Sequence, residues 1–151
     1  MQRWLGTLIV IVSVSFAVVV CADQKPAVEF LNSGKVMPTD LPFSEAVRVD
    51  NILYLSGQLG IMPGTRTLAE GGIEAEAKQA MQNIQTSLVA HGLSLSDVVK
   101  CTVMMADIAE WATFNTVYQS FFEAPYPARS AFGTSGLGAR VEVECVAAIP
   151  Q

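Results

Sequence analysis

From Phe43 onward the apolar positions of this chain alternate between two spacings. Ala46-Val47-Arg48-Val49 and Ile52-Leu53-Tyr54-Leu55-Ser56 are short β-rich runs separated by Asp50-Asn51, which predicts strand, tight turn, strand. Gly57-Gln58-Leu59-Gly60 ends the second run, and Pro63-Gly64 and Gly71-Gly72 punctuate a loop. From Ile73 to His91 the spacing changes to three and four: Ile73, Ala77, Ala80, Met81, Ile84 and Leu88 form one apolar stripe of a helix. Glu74 and Glu76 suit its positive N-terminal end, and His91-Gly92 supplies a stop. Asp97 to Met105 is β-rich again, and with the strand before the helix it predicts a crossover unit of parallel strands. Asp107, with Glu110 three residues on, has the pattern of a capping box. It opens a second helix carrying Trp111, Phe114, Tyr118, Phe121 and Phe122, which stops ahead of Pro125.

Two strands finish the chain. Arg129 leaves the loop Tyr126-Pro127-Ala128, and Val141-Glu142-Val143-Glu144-Cys145-Val146 alternates apolar and acidic residues. Gly133, Gly136 and Gly138 lie between these strands, so a hairpin is expected that sets Arg129 opposite or diagonal to Glu142 and Glu144. The order strand-strand-helix-strand-helix-strand-strand predicts an α+β fold, a single mixed sheet with two helices packed on one face. The bare face needs another cover, which an oligomer would provide.

The N-terminus follows a different rule. Arg3 precedes an apolar run from Trp4 to Val20, and Val20-Cys21-Ala22-Asp23 is a small-residue exit. Residues 1–22 therefore read as a cleaved secretory signal peptide, giving a periplasmic or secreted protein. The alternatives are an uncleaved membrane anchor, or a lipid on Cys21. Residues 23–42, with Pro26, Pro38 and Pro42, read as an irregular lead-in with room for one short strand at Val28 to Leu31, ahead of a domain over 43–151. No membrane contact is expected of the mature chain.

Charge narrows the partners. Of 9 basic and 14 acidic side chains, only Arg3 falls within the leader, which leaves the mature chain at 8 against 14, or −6. Nucleic-acid binding by counterion release is disfavoured. Cleavage leaves Cys101 and Cys145, each inside a strand-like run, and burial as free thiols is favoured over a bridge. No metal or cofactor is expected: the cysteines are not in a CxxC, and the one histidine, His91, sits at a helix end. Ser56-Gly57-Gln58-Leu59-Gly60 fits neither phosphate-loop pattern, and the aromatic stripe of the second helix reads as core.

Arg129, Glu142 and Glu144 remain. Read from the residues alone, they form a cross-strand ion pair on a solvated face, worth about 0–1 kcal/mol. The functional alternative has Arg129 take a substrate carboxylate through two parallel hydrogen bonds while a glutamate positions water or moves protons.

From about Phe43 to Ala148 the chain resembles the RidA family, also called the YjgF or reactive-intermediate deaminase family. The resemblance rests on Ala46-Val47-Arg48-Val49, Tyr54-Leu55-Ser56-Gly57-Gln58, Gly72-Ile73-Glu74-Ala75 and Val98-Val99-Lys100-Cys101-Thr102-Val103. It continues in Phe114-Asn115-Thr116-Val117-Tyr118, Tyr126-Pro127-Ala128-Arg129-Ser130 and Val141-Glu142-Val143-Glu144. It implies a chorismate-mutase-like homotrimer with sites in the clefts between subunits. It also implies hydrolysis of 2-imino acids, such as 2-iminobutanoate or 2-iminopropanoate, to 2-oxo acids and ammonia without a cofactor. On this resemblance Arg129 holds the substrate carboxylate and Glu142 helps activate water. Ser56, Gly57 and Asn115 match pocket positions, as do Phe43, which replaces a common tyrosine, and Ala131, which replaces a common cysteine. Glu144 is expected to be structural, buffering Arg140 or a subunit contact. The competing class is a non-catalytic trimer that binds small carboxylates or client proteins at the same clefts. A ribonuclease-like activity, the third reading, is opposed by the acidic balance and the lack of a histidine pair.

Overall fold

The computed structural model describes residues 25–150, so the proposed leader lies outside the described residues. Seven strands form one sheet in the order β1-β2-β3-β7-β5-β6, with β4 also on β7. They are β1 (Val28–Leu31), β2 (Ala46–Val49), β3 (Ile52–Leu55), β4 (Gln58–Leu59), β5 (Val98–Met105), β6 (Ala128–Gly133) and β7 (Val141–Ala148). Helix α1 (Gly72–Ala90) lies between β4 and β5, and α2 (Trp111–Gln119) between β5 and β6. The expected α+β sheet with two helices is present, and β1 joins it as an edge strand on β2.

The period-2 pattern decides which side of the sheet is dry. Leu53, Leu55, Cys101, Val103, Met105, Val141, Val143, Cys145 and Ala147 are buried on the helix side. They meet the α1 stripe of Ile73, Ala77, Met81, Ile84 and Leu88 together with Phe114 and Tyr118 of α2. Every apolar position assigned to the α1 stripe from its spacing is buried. The other face is open. Phe30, Tyr54 and Phe132 are 72%, 49% and 47% exposed there.

Strand pairing departs from the expectation at the C-terminal end. β6 and β7 do not form a hairpin. Both pair with β5, β6 in parallel and β7 antiparallel. Cys101 therefore stands opposite Arg129 on one side and Cys145 on the other. The expected ion pair between Arg129 and the glutamates is not formed. The strands flanking α1 run in the same direction, as a crossover requires, but β7 inserts between β3 and β5. The one direct parallel pairing is β5 with β6. Short-range turn signals could not show that a central position was reserved for the last strand.

Three local differences follow from side-chain competition. Asp107 caps as expected, its carboxylate accepting from the Ala109 amide at 2.9 Å, but over a 3₁₀ turn that precedes α2. Glu110 does not close the box, because its carboxylate takes Arg140 at 2.6 Å. Arg140 also reaches Glu76 on α1 at 3.8 Å, and its amide donates to Glu76 at 2.8 Å, so Glu144 does not buffer it. Cys101 and Cys145, expected as free thiols, are joined in a disulfide. Adjacent antiparallel strands bring their Cα atoms to 4.1 Å with both side chains on the buried face.

Candidate active site

The residues singled out from the sequence fall into two groups on opposite sides of the sheet. The first is built on α2 and β6. Trp111, Asn115 and Tyr118 are spaced by four and three residues, so they form one stripe along α2. That stripe faces Arg129. Its guanidinium carbon lies 4.6 Å from the centre of the Trp111 ring and 4.4 Å from that of Tyr118. An Nη of Arg129 donates to Asn115 Oδ1 at 2.8 Å. Each cation–π contact contributes on the order of 0.5–2 kcal/mol, and together with the hydrogen bond they hold a long side chain in one orientation. Burial pushes the Tyr118 hydroxyl pKa up, opposed by the charge on Arg129. That hydroxyl has no hydrogen-bond partner among the described residues. A cavity of about 180 Å³ beside Arg129 is lined by Asn115, Tyr118, Gln119, Tyr126 and Pro127. Ala131, two residues beyond Arg129 on β6, is partly buried against the core.

The second group is built on the junction of β3, β4 and β7. Tyr54 pairs with Val146, and Gln58 pairs with Val143, so four steps on one strand match three on the other. The extra residue is a bulge, a device that re-aims the chain near a site. It lays Gly57 directly on the Glu142 carboxylate, where a Cβ would collide with Oε1. Glycine is required there by close approach. Burial pushes the Glu142 carboxyl pKa up, and the nearby Glu144 pushes it further in the same direction. Phe43 and Glu142 line a cavity of about 260 Å³ together with Gly57. Ser56 is adjacent, but its hydroxyl is committed to the Ser44 carbonyl at 2.7 Å.

Of the site residues expected from the sequence, Arg129 and Asn115 lie at one cavity, Phe43, Gly57 and Glu142 at another, and Ser56 and Ala131 line neither. Sequence reasoning missed Trp111 and Tyr118 as partners of Arg129, because an aromatic stripe reads as core. Its spacing with Asn115 was the available signal. It also missed the apolar wall of the larger cavity, which comes from the segment before Phe43.

A family profile described as Endoribonuclease L-PSP matches residues 35–149. The chain belongs to this family. Among its L-PSP relatives, the cattle 2-iminobutanoate/2-iminopropanoate deaminase is 46% identical over 108 residues, 70% of this chain and 79% of that protein. The crystal structure of RidA from an Antarctic Psychrobacter is 37% identical with a TM-score of 0.75, over 80% of this chain and 99% of that one. The Escherichia coli YjgF gene product, at 29% identity and a TM-score of 0.74, covers 80% of this chain and 98% of its own. The chain is thus similar to proteins that carry the RidA and YjgF names expected from the motifs.

Proposed function

We propose that this chain hydrolyses 2-imino acids to 2-oxo acids and ammonia. The observation that carries the reading is the held guanidinium of Arg129, in a chain similar to curated 2-iminobutanoate/2-iminopropanoate deaminases. A planar guanidinium fixed between two rings offers a carboxylate two parallel hydrogen bonds with little further loss of freedom. The protonated imine carbon is electrophilic, so the site needs to orient water and move a proton. Glu142 takes a proton as water adds to that carbon, giving a tetrahedral amino alcohol. The proton passes to nitrogen, the C–N bond breaks, and ammonium leaves as the carbonyl forms. A carboxyl pushed above its ordinary pKa is a better base for this step than a solvated one.

The two groups work together only if they come from different chains, so the proposal includes a homotrimer with sites between subunits. Support comes from the exposed Phe30, Tyr54 and Phe132 on the open face. Light scattering tests the assembly. Export completes the reading. A buried disulfide suits an oxidising compartment, in keeping with the leader-like residues 1–22. Mass spectrometry of the mature N-terminus tests cleavage.

The reaction is tested by generating 2-iminobutanoate in situ and comparing wild type with Arg129→Ala. A loss of about 100-fold or more is expected on removing the carboxylate anchor. Equal rates, both at the spontaneous level, would sink the deaminase reading. Ligand binding without turnover would favour the carboxylate-binding alternative.

A further inference from the structure

The cavity at Glu142 is larger than a two-carbon side chain fills. Most of its wall is apolar: Met37, Leu41, Phe43, Leu59 and Ile61 line about 260 Å³ beside Gly57 and Glu142. The polar side chains among the lining residues are turned to other work. Asn83 of α1 donates to the Leu59 and Ile61 carbonyls at 3.1 and 2.8 Å and accepts from Gln79 at 2.9 Å. Gln58 donates to the Ser56 carbonyl at 3.2 Å. These bonds commit Asn83 and Gln58, and Thr65 donates to the Met62 carbonyl at 2.7 Å, so the wall is mostly carbon apart from Glu142 and Arg66.

The opposite wall is held just as firmly. Residues 33 to 45 form a loop whose ends are joined by the buried Glu45 carboxylate, which accepts from the Ser33 amide and hydroxyl, each at 2.6 Å. Asn32 accepts from the Glu45 amide at 2.9 Å, doubling the closure. The loop therefore presents Met37 and Leu41 to the chamber from a fixed base. Arg66 lines the same cavity with its side chain exposed.

We infer that this chamber is a side-chain subsite that selects 2-imino acids with long apolar side chains, of the leucine or methionine kind, over 2-iminopropanoate. The inference rests on the imine-hydrolase reading and names the substrate class within it. Glu142 lines the chamber, so a substrate whose imine carbon meets Glu142 can extend its side chain along Leu41 and Ile61. Each methylene that reaches those walls improves binding about fourfold, provided no polar group is stranded.

The test measures kcat/KM for imines generated in situ by an L-amino-acid oxidase from alanine, leucine, methionine and glutamate, at matched oxidase flux. The leucine- and methionine-derived imines are expected to exceed the alanine-derived one by about tenfold or more. Leu41→Asn and Ile61→Asn should each collapse that ratio several-fold. A ratio of one or less in wild type overturns the inference, as does a ratio that both variants leave intact. A preference for the glutamate-derived imine also overturns it and assigns the specificity to Arg66. Calorimetry with 4-methyl-2-oxopentanoate and pyruvate separates this from failure of the reaction itself. Tighter binding of the longer acid, lost in Leu41→Asn, supports the subsite even without turnover. Equal or weaker binding overturns it.

Discussion

Arg129 and Glu142 stand on opposite faces of one sheet. Arg129 shares its row with Cys101 and Cys145, on the side covered by helices. Glu142 shares its row with Leu59 and Met104, on the open side. A sheet separates them within a chain, so a reaction that uses both draws them from two copies. Arg129→Ala and Glu142→Gln should each be nearly inactive, and equal co-assembly of the two should restore about a quarter of wild-type activity, the fraction of intact sites in a randomly mixed ring. Mixed assemblies that stay inactive would place both groups in one chain.

The acid limb of the pH–rate profile should follow Glu142. Burial and then Glu144 raise its pKa, so the base form is gained only above the ordinary carboxylate range. kcat/KM should rise through that raised pKa and level off above it. Glu144→Gln removes the second cause and should move the limb to lower pH. An unmoved limb would assign it to another group.

Gly57→Ala should disable the site while sparing the fold. An added methyl has no room beside Glu142 and must displace its carboxylate. A loss of about 100-fold in kcat/KM with an unchanged far-ultraviolet spectrum is expected. Retained activity would show that the carboxylate position is not critical.

The disulfide should contribute substantially to stability. It closes a 44-residue separation between two central strands, and loops of that size are worth roughly 2–4 kcal/mol. Replacing Cys101 and Cys145 with alanine should lower the unfolding free energy by about that amount, read by denaturant titration at one protein concentration. No change would leave the bond without a stabilising role.

Glu45 should make stability acid-sensitive. Burial pushes its carboxyl up, but the Ser33 hydroxyl, the Ser87 hydroxyl, the Ser33 amide and His91 together outweigh that effect, leaving it below its ordinary pKa. Its contribution is therefore present above the unfolded-state pKa and is lost as pH falls through the lower folded-state value. Glu45→Gln should cost about 1–3 kcal/mol near neutrality, with the difference from wild type shrinking in acid. A constant difference down to low pH would show that the charge contributes nothing.

Much of this molecule was legible because burial imposes a period on a sequence. The stripe Ile73 to Leu88, the alternation Val141 to Cys145 and the turn at Asp50-Asn51 are local patterns, each written within a few residues. The motif around Arg129 was legible in the same way, whereas the preference for Glu142 over Glu144 came from the resemblance to the RidA family.

What remained hidden depends on partners distant in sequence. Placing β5 between β6 and β7 separated an expected Arg129–glutamate pair onto two faces, brought Cys101 against Cys145, and gave Arg129 the rings of Trp111 and Tyr118. The sequence by itself determined the elements, their buried faces and the reactive residue types, because those follow from neighbours along the chain. Only the tertiary structure decided which strands meet, since pairing is a competition among long-range contacts that no local period records. That competition put the charged groups on opposite faces.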